Sequence, residues 1–362
     1  MTQAVTNKTG QQAPQPKLIK QAAPASELTP LMRVQDAVVK YGFVAVTVLL
    51  FVYFAATEPA FATSDSLFAM LKYASVTAIL GLGMTFSMVV GGMDMSIGSQ
   101  AGLAVQMAAM TMVFYNMNGT TAGLVVVGVG ILVGLVNAFL IVYCKIPDLL
   151  ATLAMMFVIQ GVKLIPVDGQ SVSAGMVLRD GSVAPGKFTS TFLLLDRGTL
   201  GPVPLPVVIM LVLALVSWFF LSRTKWGRLM YAVGANPEAA RLSGVRVGFY
   251  RGLAYVLTST FASVGGLILV SRIGQGDVNA GSSSLLEAVA VALVGTSVLG
   301  AGKANAWGTL LGALLVGIVL TGLTMKGFQY YYQDTAKGLV LLVALVFSYT
   351  MSRKKVRYTP AT

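Results

Sequence analysis

The chain has 362 residues, 56% hydrophobic and only 10% charged, with 25 Lys and Arg against 13 Asp and Glu and no histidine. A soluble domain carries about 25% charged residues, so most of this surface belongs in lipid. The lone Cys144 excludes an internal disulfide and, with histidine absent, disfavours the common zinc and haem sites, so no metal ligand set is expected. The positive charges are scattered between apolar runs, which argues for membrane orientation and against nucleic acid.

Residues 1–40 read as a disordered cytoplasmic tail. Met1–Pro30 is rich in Gln, Ala, Pro, Thr and Lys and lacks apolar periodicity. No apolar core follows its lysines, so it is not a cleavable signal peptide. Leu31–Lys40 is a short amphipathic stretch suited to the membrane surface. The expected fold is an all-α polytopic membrane protein whose transmembrane domain occupies residues 41–351, with residues 352–362 as a second cytoplasmic tail. About ten transmembrane helices are expected: Tyr41–Thr57, Leu67–Val90, Ile97–Tyr115, Thr121–Cys144, Leu149–Ile165, Pro206–Leu221, Tyr250–Ser271, Ser284–Leu299, Ala304–Met325 and Ala336–Met351. Each is near the roughly 20 residues that cross hydrocarbon. With the N-terminus inside, seventeen Lys and Arg fall on the inner side and eight, including Lys72, Arg179 and Arg272, fall outside or at the outer boundary. That bias places both termini in the cytoplasm.

Between the second and third spans the run breaks at Gly91-Gly92-Met93-Asp94-Met95-Ser96-Ile97-Gly98. Paired glycines weaken a helix, and Asp94 can cap the next one through the amides of Ser96 or Ile97. Irregular backbone and a carboxylate at membrane depth belong inside protein or beside a water-filled path. A plain capped turn and a path-lining segment both remain open. Pro166–Leu205 is too polar to span. It reads as a surface loop or a docking platform, with Asp168, Arg179, Asp180, Lys187, Asp196 and Arg197 for rim ion pairs. Arg272–Ser283 is a second outer docking segment.

The polar island Tyr231–Arg251 lies on the inner side. Asn236 is a good N-cap, Pro237 fits the first helical position, Glu238 meets the positive end of the dipole, and Gly244 is a left-handed stop. A short helix of about two turns follows, held between two spans. Late in the chain, Glu287-Ala288-Val289-Ala290 leads into Gly295-Thr296-Ser297 and Gly300-Ala301-Gly302, an apolar helix, a glycine break and another helix. The echo of the earlier break hints at two structural repeats. Glu287 can bind a sugar hydroxyl or cap its own helix.

Glu238-Ala239-Ala240 followed by Gly244 resembles the EAA-xxx-G coupling loop of ABC-importer permeases. The longer GANPEAARLSGV resembles the branch that carries ribose-like and other monosaccharides. The GG-x-D-x-S-x-G break resembles a signature of the same branch, with Met93 and Met95 where Ile and Leu are usual. The late Gly-Thr-Ser turn resembles its second signature, with Ala288 where Asp is frequent and Ala301 where Gly is. The resemblance implies the permease subunit of an ATP-driven importer of a monosaccharide or related polyol in the bacterial cytoplasmic (inner) membrane.

The same resemblance implies an ABC ATPase subunit, an extracytoplasmic sugar-binding protein and a second permease copy, identical or paired. It assigns ATPase coupling to Asn236, Pro237, Glu238, Ala239, Ala240 and Gly244. It assigns the translocation path to Gly91, Gly92, Asp94, Ser96, Gly98, Glu287, Gly295, Thr296 and Ser297. The chain has no P-loop, so ATP would be used by the partner, and no catalytic residue or bound cofactor is expected. The rival reading is an ion-coupled secondary transporter, which would use carboxylates such as Asp94 and Glu287 for coupling.

Overall fold

The computed structural model describes residues 30–297, 303–329, 331–333, 335–339 and 342. Within them the order is α1 (Pro30–Thr57), α2 (Ser64–Val89), α3 (Ile97–Val113), α4 (Gly119–Ala138), α5 (Asp148–Leu164), α6 (Ser190–Arg197), β1 (Thr199–Leu200), β2 (Val203–Pro204), α7 (Leu205–Arg223), α8 (Lys225–Ala235), α9 (Pro237–Leu242), α10 (Val247–Ile273), α11 (Ser284–Ser297) and α12 (Ala306–Met325). The fold is all-α but for a two-residue antiparallel ribbon. A π-helical turn, Phe139–Tyr143, continues α4.

Six helices are long and apolar enough to cross a membrane: α2, α4 with its π-turn, α5 with the turn after it, α7, α10 and α12. The chain is thus a multi-pass membrane protein. Nine of the ten expected segments coincide with helices, and the tenth, Ala336–Met351, lies mostly outside the described residues. Helix α8 was not foreseen.

Burial separates the spans into two shells. About two-thirds of the apolar windows of α2 and α10 and 61% of that of α12 are buried, against 28% for α5 and 33% for α4 and α7. The outer three expose Leu132, Leu135, Phe157, Leu215 and Phe219, side chains that suit acyl chains. Helix α3 is short at 17 residues, yet nearly every residue in it is buried among α4, α5 and α10. Small residues allow these approaches. A Cβ on Gly134 of α4 would lie 2.7 Å from the Val256 Cα of α10, whereas a Cβ on Gly128 would meet nothing within 4 Å among the described residues.

Two ends of the bundle are defined by contacts. Helix α2 starts beside α6, where Lys72 pairs with Asp196, and finishes beside α8, where a Cβ on Gly234 would collide with the Val89 carbonyl. Helix α10 starts just after α9 and finishes beside α6 through Arg272 and Asp196. Its 27 residues span about 40 Å, more than a hydrocarbon core. The α9 end and the α6 end are therefore opposite faces.

The segment after α10 does not stay at the α6 end, which corrects the expectation of a purely outer docking surface for Arg272–Ser283. Gly276 lies against Gln106 and Ala109 of α3, Ala280 against Gly102, and Gly281 against Gly98. The chain thus runs back down α3, and Lys163 of α5 holds it there by donating to the carbonyls of Val278 (2.9 Å) and Ala280 (3.4 Å). Helix α11 then starts inside the bundle, at Ser284.

Candidate transport and coupling site

The polar island folds as its local chemistry dictates. The Asn236 side chain accepts from the Ala239 N–H (3.0 Å), Pro237 opens α9, and Gly244 adopts φ +79°. Glu238 pairs with Arg241 at 3.3 Å on an exposed face, a contact that stabilises little in water. Of the two alanines, Ala240 is buried and Ala239 is exposed. Leu242 is 89% exposed, an unusual placement for a large aliphatic side chain on a capped helix. It lies one turn from Glu238, so the two share a face. Sequence reasoning passed over Leu242, although the i, i+4 spacing to Glu238 was visible.

Helix α8 seats this unit on the bundle. Its buried residues are Gly227, Met230 and Val233, and Gly234 touches the backbone at the end of α2. There α2 closes with Gly91 at φ +81°, Gly91 N–H donating to the Met88 carbonyl and Gly92 N–H to that of Ser87. The island and the first glycine signature, 140 positions apart by residue number, are in backbone contact.

Beyond Gly92 the turn is held by its own polar side chains and by ones from three helices, α3, α4 and α5. Asp94 is fully buried. Its Oδ1 accepts from the Ser96 N–H (2.9 Å) and the Ser96 hydroxyl (2.5 Å), and its Oδ2 from the Gln100 amide (3.3 Å). Ser96 Oγ accepts in turn from Gln100 (2.6 Å) and from Asn137 of α4 (3.1 Å). Thr152 of α5 accepts from the Met95 N–H (3.0 Å). Three donors on one carboxylate offset the cost of burying it. A cavity of about 10 Å³, lined in part by Gln100, Gly130 and Ser263, borders the cluster and has room for one water.

A second polar group abuts the first. Asp148, at the start of α5, forms an ion pair with Arg251 of α10 and accepts from the Tyr255 hydroxyl at 2.5 Å. A Cβ on Gly92 would lie 2.2 Å from both the Asp148 Oδ2 and the Tyr255 hydroxyl. Sequence reasoning missed Asp148, Tyr255, Gln100 and Asn137. Gln100, Asn137 and Tyr255 each sit inside an apolar run, where a single polar residue carries no motif, and Asp148 reads as an ordinary first-turn acid after Pro147.

The late signature is arranged differently from the first. Gly295, Thr296 and Ser297 are helical and belong to α11, and the rest of the expected glycine break, residues 298–302 with Gly300 and Ala301, lies outside the described residues. Gly295 packs on Thr309 of α12, and its carbonyl accepts from Asn305 (2.7 Å). Thr296 Oγ donates back to the Leu293 carbonyl. Glu287 is buried, accepts from Thr77 of α2 at 2.6 Å, and pairs with Lys337 at 2.8 Å. It therefore ties α11 to neighbouring elements. Gly98 touches Gly281 and Leu285, so the first signature does approach the segment that introduces α11.

At the α6 end, Pro166–Leu205 forms a built cap. Val172 and Gly276 exchange backbone hydrogen bonds, which joins the two outer segments, and Val177 bridges Val183. Asp196, expected on a docking rim, is instead buried and bound by Lys72 (2.7 Å) and Arg272 (2.9 Å). Asp168 and Arg179 do stay exposed and paired. The hydrogen bonds from Arg179 hold the Asp168 carboxyl below the usual carboxylate range.

Known proteins share this chain over most of its length. The ribose import permease protein RbsC of Escherichia coli (strain K12) is 33% identical over 292 residues, covering 80% of this chain and 87% of that protein. The xylose transport system permease protein XylH of Haemophilus influenzae is 26% identical, covering 86% and 96%. The galactose/methyl galactoside import permease protein MglC of Escherichia coli (strain K12) is 28% identical, covering 87% and 95%. No solved structure matches the chain. The family described as branched-chain amino acid transport system / permease component matches residues 66–345. That match takes in both glycine signatures, the α8–α9 unit and the cap, and the chain belongs to this family of transport permeases.

Proposed function

We propose that the chain is the permease subunit of an ATP-driven importer that moves a monosaccharide or related polyol across the bacterial cytoplasmic membrane. The observation that carries this reading is the seating of α9. A short capped helix presents Glu238, Ala239 and Leu242 outward, while α8 beneath it rests on the glycine break of α2. A separate ATPase that grips α9 would thereby move α2 and α10 directly. The ten-span frame, both termini inside, places α9 on the side of the Lys and Arg excess, where such a partner would be.

The α6-end cap is the surface for an extracytoplasmic sugar-binding protein, with the Asp168–Arg179 pair on its rim. A second permease copy, identical or paired, completes the path. Exposed Asn279, Ser282 and Ser283, carried down along α3, give that path hydroxyl-compatible walls, as polar side chains at this depth avoid lipid. Gly91, Gly92, Asp94, Ser96 and Gly98 support the path from behind rather than line it. Glu287, Gly295, Thr296 and Ser297 hold α11 in register. Ribose-, xylose- and galactose-importing relatives support a pentose or hexose cargo. No nucleotide is bound by this chain; ATP serves the partner.

The test is reconstitution in proteoliposomes with its ATPase and sugar-binding partners, ATP on the α9 side and radiolabelled ribose, xylose or galactose on the α6 side. Uptake that needs ATP and all three components is expected. Uptake driven by an ion gradient with the ATPase omitted would overturn the proposal.

A further inference from the structure

At the α9 end, a cleft of about 500 Å³ opens between the end of α7, the face of α8 and the residues that lead into α12. Arg228 and Lys303 line it, with Ser222 and Tyr231 between them. Both cations are exposed, and neither has a carboxylate partner among the described residues. Tyr231 spends its hydroxyl on the Ala304 carbonyl (2.7 Å), which braces the cleft and leaves its ring beneath Lys303 at 5.9 Å. Immediately along the same two helices toward the bundle centre stand Trp218 of α7 and Trp307 of α12, with ring centroids 6.4 Å apart. Arg223 stacks on Trp218 at 5.6 Å.

Cations at the mouth and an indole pair one step deeper reproduce the polarity profile of a membrane boundary. A soluble anion would use the cations but not the indoles. An acidic protein surface would have no use for an apolar wall that continues into the bundle. A phospholipid with an anionic headgroup uses both, and basic pockets between helices on the cytoplasmic side suit such headgroups. We infer that this cleft is a binding site for an anionic glycerophospholipid, its phosphate between Arg228 and Lys303 and its acyl chains along Trp218 and Trp307. The inference rests on the orientation proposed above, which puts this cleft on the inner leaflet, but not on the transported solute.

The test uses the full-length permease carrying Trp226→Phe, so that emission comes from Trp218 and Trp307 alone, in nanodiscs of phosphatidylcholine doped with brominated phosphatidylglycerol or brominated phosphatidylcholine. The expected result is stronger quenching by the anionic lipid, corresponding to a preference on the order of tenfold. The Arg228→Gln, Lys303→Gln double variant should lose that preference while both lipids still quench. Both side chains are exposed, so folding should survive, and a circular dichroism spectrum checks that it does. Equal quenching by the two lipids in the unsubstituted chain would overturn the inference. So would a preference that persists in the double variant. Relief of quenching by millimolar inorganic phosphate would reassign the cleft to a free anion. Loss of ATPase co-purification in the double variant, with lipid quenching unchanged, would assign the cations to the partner protein instead. None of these readouts measures transport, so failure here is separable from failure of the importer proposal.

Discussion

Gly92 has no room for a side chain, because the carboxylate of Asp148 and the hydroxyl of Tyr255 already occupy the position a Cβ would take. Gly92→Ala should therefore push the break away from α5 and α10, lowering stability by about 1–3 kcal/mol as overpacked sites do. A lower melting temperature of the detergent-solubilised protein checks this. The Asp148–Arg251 pair is a sharper case, since each removal strands the other charge in a partly buried place. Asp148→Asn and Arg251→Met should each cost about 2–3 kcal/mol, and the double variant less than their sum. An additive double variant would show that the two groups do not interact.

Residues differ in how far the sequence revealed them. Asp94 stood out because it follows two glycines, and the structure confirms that it bonds to Ser96. Asp148 and Arg251 are 103 residues apart and each sits next to ordinary turn chemistry, so nothing local joins them. Only the three-dimensional packing of α5 against α10 makes them one group.

Among elements, α9 was legible to within one residue, its N-terminus at Pro237 as read and its C-terminus at Leu242 instead of Ser243, because helix caps are local chemistry: Asn, Pro, Glu and Gly each act within one turn. The proposed docking face makes a prediction at this scale. Leu242→Lys should abolish ATP-dependent uptake while membrane insertion, read by protease protection and yield, stays normal. Glu238→Lys with Gly244→Val should do the same, since Val at φ +79° would also distort the helix end. Normal uptake in both would remove α9 from the coupling role. Helix α8 was missed because its apolar residues alternate with Lys225, Arg228 and Tyr231, and an amphipathic helix between spans looks like loop on a hydropathy scan. The descent of residues 274–283 along α3 was hidden for the opposite reason. Polar sequence reads as surface, yet here the carbonyls of Val278 and Ala280 are satisfied by Lys163 inside the bundle.

For the whole molecule, the apolar runs marked nine of the described helices but said nothing about which are central. That depends on the small residues that let α2, α3 and α10 approach one another, and those residues are spread through every span. At the α6 end one carboxylate, Asp196, binds both Lys72 and Arg272. Asp196→Ala would leave Lys72 and Arg272 beside each other without their anion, and a loss of roughly 3 kcal/mol is expected. It should appear as a lower melting temperature together with faster proteolysis within residues 166–205. An unchanged melt would mean that the cap contributes little to the bundle. Orientation can be checked in the same preparation. In a Cys144→Ala background, a cysteine at Ala239 should react with an impermeant thiol reagent only from the inner side, and one at Asp180 only from the outer.

The meeting of Gly234 with the end of α2 carries a mechanical consequence. Main chain rests on main chain there, a Cβ at Gly234 falling 2.0 Å from the Val89 carbonyl oxygen, and the side chains of Val89, Val90, Met230 and Val233 share one buried apolar cluster around it. Contact this close between two backbones leaves almost no play under compression. Under the proposed coupling role, a push delivered at the tip of α9 would pass through this contact into α2 with little lost on the way.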